Sequence, residues 1–175
     1  TPVSGGRLID SLREADLWRV LAISGLVQLG LDLFQFYIPI YGHAIGLSAS
    51  AIGSVLAAYA VASFVVRFAM PRLLARVGED RLLAYSMYVG TLGFLLIPLS
   101  PNAGALALVA LIFGLGMGCS QPLVLMLMFS RSSPGRSGAT LGLRLSTNNL
   151  IRTVSPPVFG FIATAFGLLP VFFIN

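Results

Sequence analysis

Residues 18–41 read WRVLAISGLVQLGLDLFQFYIPIY, and Arg19 and Asp32 are the only formal charges in the run. About 20 mainly apolar residues suffice to carry a helix across the hydrocarbon core of a bilayer. A strand would show two-residue alternation and a shorter run, and neither is present. Four polar residues interrupt the pattern: Ser24, Gln28, Asp32 and Gln35, spaced by four, four and three. At about 3.6 residues per turn they share one narrow face. The stretch is therefore predicted to be a membrane-crossing helix with a polar stripe.

Five further apolar segments follow it. They run roughly over Ala51–Met70, Leu82–Leu99, Gly104–Ser130 and Gly138–Thr164, with a sixth beginning near Phe166. Breaker residues separate them: Ser48-Ala49-Ser50, Ser100-Pro101-Asn102 and Ser132-Ser133-Pro134-Gly135. The sixth has only about ten residues before Asn175, too few to span, so the sequence is expected to stop inside that helix. The predicted fold is all-α: a polytopic bundle of about six transmembrane helices. Residues 1–17 form a cytoplasmic lead-in or linker, and 18–175 form the bundle.

Composition agrees. Of 175 residues, 57% are hydrophobic and 10% charged, against about 25% charged in a soluble domain. Mean hydropathy is +0.91. All eleven basic residues are arginine, giving a net charge of +5. They cluster between apolar runs, which suits anionic lipid headgroups rather than nucleic acid. The lone Cys119 excludes an internal disulfide or a cysteine-built metal site. The polar, mixed-charge stretch up to Arg19 does not read as a cleavable signal peptide.

The arginines also predict orientation. Arg7, Arg13 and Arg19 lead the first segment. Arg72, Arg76 and Arg81 lie between the second and third, and Arg131 and Arg136 between the fourth and fifth. The alternate connections, around His43, Asn102 and Gly167, have none. Under the positive-inside rule the N-terminus is cytoplasmic. His43 then falls on an outer loop and reads as a solvated loop residue rather than a proton relay.

A second polar stripe lies on the fifth segment, where Thr140, Arg144, Asn148, Arg152 and Ser155 step by four, four, four and three. Asp32 is fourteen residues past Trp18, and Arg152 fourteen past Gly138. At 1.5 Å per residue each sits about 21 Å from the cytoplasmic side. The two can neutralise each other as a structural pair, or face one aqueous cavity on a solute or ion route. Ionisable groups inside membranes are commonly functional. Arg144 is shallower and has two readings: a cavity group, or a long side chain reaching the cytoplasmic interface. Gln121, beside Pro122, reads either as a cavity group or as packing at a bend. The candidate cavity set is Asp32, Gln28, Gln35, Arg152, Asn148, Arg144 and Gln121.

Small residues recur at helix-packing spacing: Gly114 with Gly118, Gly138 with Gly142, and Ala58 with Ala62. Gly114-x-Gly-x-Gly118 followed by Pro122 suggests a helix able to bend. No strand precedes it, so it is not a nucleotide-binding loop, and no cofactor is expected. No Gly-x-Ser-x-Gly or His-Glu-x-x-His sequence occurs, and an enzyme is not expected.

The stretch Arg67-Phe-Ala-Met-Pro-Arg-Leu-Leu-Ala-Arg-Val-Gly-Glu-Asp-Arg81 resembles the cytoplasmic loop motif of the major facilitator superfamily, Gly-x-Leu-Ala-Asp-Arg-x-Gly-Arg-Lys. Leu73, Leu74, Arg76 and Gly78 follow it; Pro71, Ala75 and Glu79 replace its first glycine, its aspartate and its arginine. The Gly138–Gly160 stretch looks like the eleventh helix of such transporters, and Phe166–Phe173 like the start of their last. The resemblance implies the C-terminal half of a twelve-helix secondary transporter, each half an inverted pair of three-helix repeats. It implies a small-molecule substrate, a proton as candidate coupling ion, and membrane lipids and an N-terminal six-helix half as partners. It also implies residence in a plasma membrane, for a bacterium the inner one, and efflux-type antiporters and metabolite importers both fit. The first and fourth helices would line the cavity, flanked by the second and fifth. Arg72, Arg76, Gly78 and Arg81 would form a cytoplasmic gate. The competing reading is a non-transporting membrane scaffold with buried polar pairs and no cavity.

Overall fold

A computed structural model describes residues 15–131 and 137–166. Arg7, Arg13, Arg136 and the expected sixth segment beyond Phe166 fall outside the described residues. The elements are α1 (Ala15–Ala44), α2 (Ala49–Val77), α3 (Glu79–Leu96) with a 3-10 turn (Ile97–Leu99), α4 (Ala103–Met117), α5 (Ser120–Ser130) and α6 (Ser137–Phe166). The described residues contain no strand. Four spans are long and apolar enough to cross a membrane: Trp18–Ala44, Ala49–Val77, Glu79–Leu99 and Ala103–Ser130. The last comprises α4 and α5 together. At 30 residues α6 has the length, but Arg144, Asn148, Asn149 and Arg152 lie within it.

The helices start where side chains can replace missing backbone partners. Ser48 Oγ accepts the Ala51 amide at 3.3 Å and Asn102 Oδ1 accepts that of Ala105 at 2.9 Å, each satisfying an otherwise orphaned donor. At the other end of α1, Tyr41 Oη lies 3.1 Å from the Pro98 carbonyl and 3.2 Å from that of Ser100. His43 lies in the exposed last turn of α1 rather than in a loop.

Packing is arranged for an apolar solvent. On α2 the small residues Ala62 and Ser63 are buried, while Val61, Phe64, Val65 and Phe68 are exposed. Only 17% of the most apolar window of α2 is buried. Water does not tolerate an apolar face of this extent, whereas lipid does, and small residues then mediate helix contact. The chain is an integral membrane protein. A Cβ on Gly114 would lie 2.6 Å from the Tyr59 carbonyl of α2, and one on Gly116 would lie 2.7 Å from the Gly90 amide of α3. Glycine on both sides of α4 thus lets two backbones close on it, and α2–α4 and α3–α4 are the most extensive contacts in the bundle. Phe34 of α1 stacks on Phe113 of α4 at 4.1 Å, with Tyr59 at 5.0 Å from Phe34.

The bend suggested at Pro122 is a break at Gly118 and Cys119. In an unbroken helix the Gly118 carbonyl would accept the amide of residue 122, but proline has none and its ring crowds that carbonyl. Arg67 of α2 supplies the missing donor: its Nε lies 3.0 Å from the Gly118 oxygen.

The connection carrying the gate residues is shorter than the sequence implied. Helix α2 continues through Pro71 to Val77, and α3 begins at Glu79. The residues after Pro71 (Arg72-Leu-Leu-Ala-Arg76) are good helix formers, and they outweigh one lost backbone bond. Gly78 alone turns the chain, at φ +86°, a conformation suited to glycine. Arg72 and Arg76 therefore sit on helical turns rather than in a loop.

A polar seam between three helices

Helices α1, α5 and α6 converge with their polar residues inward. Arg144 is only 7% exposed. Its Nε donates to Ser24 Oγ at 3.0 Å and its Nη2 to Gln121 Oε1 at 2.5 Å. Ser24 in turn donates to Asn148 Oδ1 at 3.2 Å. Gln121 Nε2 donates to Gln28 Oε1 at 3.1 Å, and Gln28 Nε2 to Asp32 Oδ1 at 2.8 Å. Arg152 Nε closes the series 3.5 Å from the same carboxylate oxygen.

From Arg144 through Gln121 and Gln28 to Asp32 the bonds all point one way. A guanidinium only donates and a carboxylate only accepts, so Arg144 and Asp32 fix both glutamine amides between them. Gln121 must turn its oxygen to Arg144, and Gln28 its nitrogen to Asp32. Each amide is polarised in the same sense as its neighbour, which strengthens the series. Gln28 and Asp32 meet because they are one turn apart on α1. Gln121 reaches them from the first turn after the α4–α5 break.

The two ends of the seam differ. Around Arg144, Ser24 and Asn148 everything is buried and bonded. Around Asp32 the seam opens: Arg152 is 61% exposed and Asp32 17%. Asp32 Oδ2 is buried and accepts no hydrogen bond among the described residues. Gln35 is exposed and makes no hydrogen bond there. A groove of about 660 Å³ also lies between α1 and α6, lined by Trp18, Leu21, Leu29, Ile151, Val158 and Phe159 among others. It is apolar and contains none of the hydrogen-bonded seam residues, so this groove and the polar chemistry do not coincide.

Of the cavity set, Asp32, Gln28, Gln121, Arg144, Asn148 and Arg152 are joined and Gln35 stands apart. Arg144 turns inward instead of reaching for the interface. Ser24 links Arg144 to Asn148; its place on the polar stripe was the signal for it. The gate residues Arg72, Arg76 and Arg81 are exposed and make no ion pair among the described residues. The charge pair at that end is Arg131–Asp80, at 2.5 Å and largely exposed.

The sequence model of the Major Facilitator Superfamily matches residues 20–175. The chain belongs to the major facilitator superfamily. No curated protein sequence matches it. Members of the superfamily are membrane transporters that bind small-molecule substrates, and the polar seam lies within the matched residues.

Proposed function

We propose that this major facilitator chain is the C-terminal six-helix half of a secondary transporter. It moves a small solute by alternating access, with the seam between α1, α5 and α6 as its share of the route. The observation that supports this most is the unbroken polar series from Asn148 to Arg152, closed at one end and open at the other. Pairing of α2 and α3 with α4, and of α1 with α6, is in keeping with two related three-helix units. We assign the coupling proton to Asp32, because its Oδ2 accepts no hydrogen bond among the described residues: a proton there leaves the Gln28 contact in place and discharges only the long ion pair to Arg152. The N-terminus is taken as cytoplasmic, in a plasma membrane; reagent added outside intact cells should label a single cysteine at position 102 and not one at 76. The proton role is tested by proteoliposome uptake with the full-length transporter carrying Asp32→Asn. Coupled transport should be lost, and wild-type uptake with wild-type pH dependence would remove the role.

The scaffold reading has one observation of its own. The Arg144 end of the seam is saturated with internal hydrogen bonds, as a structural pin would be. It accounts for that end, but not for a 61% exposed arginine beside a carboxylate.

A further inference from the structure

Helix α6 has two kinds of exposed surface. Ser146, Asn149, Arg152 and Thr153 are exposed and, at 100° per residue, fall within a sector of about 120°, interrupted by the exposed Leu145. Leu150, Val154, Val158 and Phe161 are exposed on the neighbouring sector. Lipid suits the second face and water the first. Arg152 lies on the mainly polar sector, at the open end of the seam.

Charge in the seam is unbalanced. Asp32 is its one carboxylate, against the two guanidiniums of Arg144 and Arg152. Arg144 is engaged by Ser24 and Gln121. Asp32 Oδ1 already accepts from Gln28. Arg152 Nε lies 3.5 Å from that oxygen, and Arg152 makes no hydrogen bond among the described residues. The planar edge of a guanidinium matches two oxygens of one carboxylate or phosphate, and such a bidentate contact is stronger than a single long ion pair. Excess positive charge beside low-dielectric walls also concentrates anions.

We infer that Arg152 recognises the oxyanion of an acidic solute, with Asp32 holding the guanidinium at the seam until that oxyanion takes it over. This rests on the transporter reading and narrows its substrate to anions. Asn149, exposed one turn before Arg152, gives a place to measure it. In the full-length protein without other cysteines, Asn149→Cys is reacted with size-matched methanethiosulfonates, one a sulfonate and one a quaternary ammonium. Normalised to a free thiol, the anionic reagent should react about tenfold faster. Adding Arg152→Gln should return the ratio to near one, and adding Asp32→Asn should raise it. A ratio at or below one, or a high ratio unmoved by Arg152→Gln, would overturn the assignment. Acetate and inorganic phosphate are then added at constant ionic strength. Slowing by acetate marks a carboxylate site and slowing by phosphate a phosphate site, whereas slowing by neither overturns it. Uptake by the parent protein is read separately, so an active transporter with a ratio near one loses only the oxyanion claim.

Discussion

Arg144 and Arg152 lie eight residues apart on α6, with the same chemistry and different surroundings. Arg144 is buried and donates to two side chains, while Arg152 is mostly exposed and leans on one carboxylate. Removing Arg144 leaves a buried acceptor on Ser24 and a half-buried one on Gln121 without donors, the buried one costing about 1–3 kcal/mol. Removing Arg152 ends a solvated ion pair, worth about 1 kcal/mol or less. Arg144→Gln should therefore lower the denaturation midpoint of the full-length protein much more than Arg152→Gln. A larger loss at Arg152 would contradict the division of the seam into a closed and an open end.

At the scale of elements, the α4–α5 break depends on a partner distant in sequence. Pro122 takes a donor from Gly118, and Arg67 returns one from α2. If that exchange is what holds the break, Arg67→Leu should cost about 1–3 kcal/mol in the native background. In a Pro122→Ala background, where residue 122 regains its amide, the cost should be much smaller. A thermal-stability cycle of the two changes measures this, and additive losses would rule the exchange out. The same contact marks how far the sequence could be read. Run length and the steps of four repeat locally, so the described helices and both polar stripes were legible. The Gly-x-Gly-x-Gly run with Pro122 gave the bend. Arg67 could not be matched to Gly118, nor Arg131 to Asp80, because spacing along one helix says nothing about what another helix brings to it. Helix α2 ran past Pro71 because one missing amide is a weaker signal than five helix-favouring residues after it. Gln35 shared the stripe of Asp32 but lies one turn too far along α1 to join the seam.

For the whole molecule, what holds the bundle together is separate from the proposed solute route. Glycines on α4 and the aromatic stack hold α1 to α4 together, while the seam joins α1, α5 and α6 through groups costly to bury unless paired. Its open end is where the transporter reading meets the structural one. Asp32 and Arg152 are close enough to influence each other, and Arg152 is exposed enough to meet a solute. The most direct test is a double-mutant cycle with Asp32→Asn and Arg152→Gln in the full-length transporter, followed by thermal stability and by proteoliposome uptake. The expected coupling is about 0.5–1 kcal/mol, the low end for contacting residues because Arg152 is solvated. The double mutant should thus be more stable than the single losses sum to, and should still fail to transport. Additive stability losses, or a double mutant that regains wild-type uptake, would contradict the account.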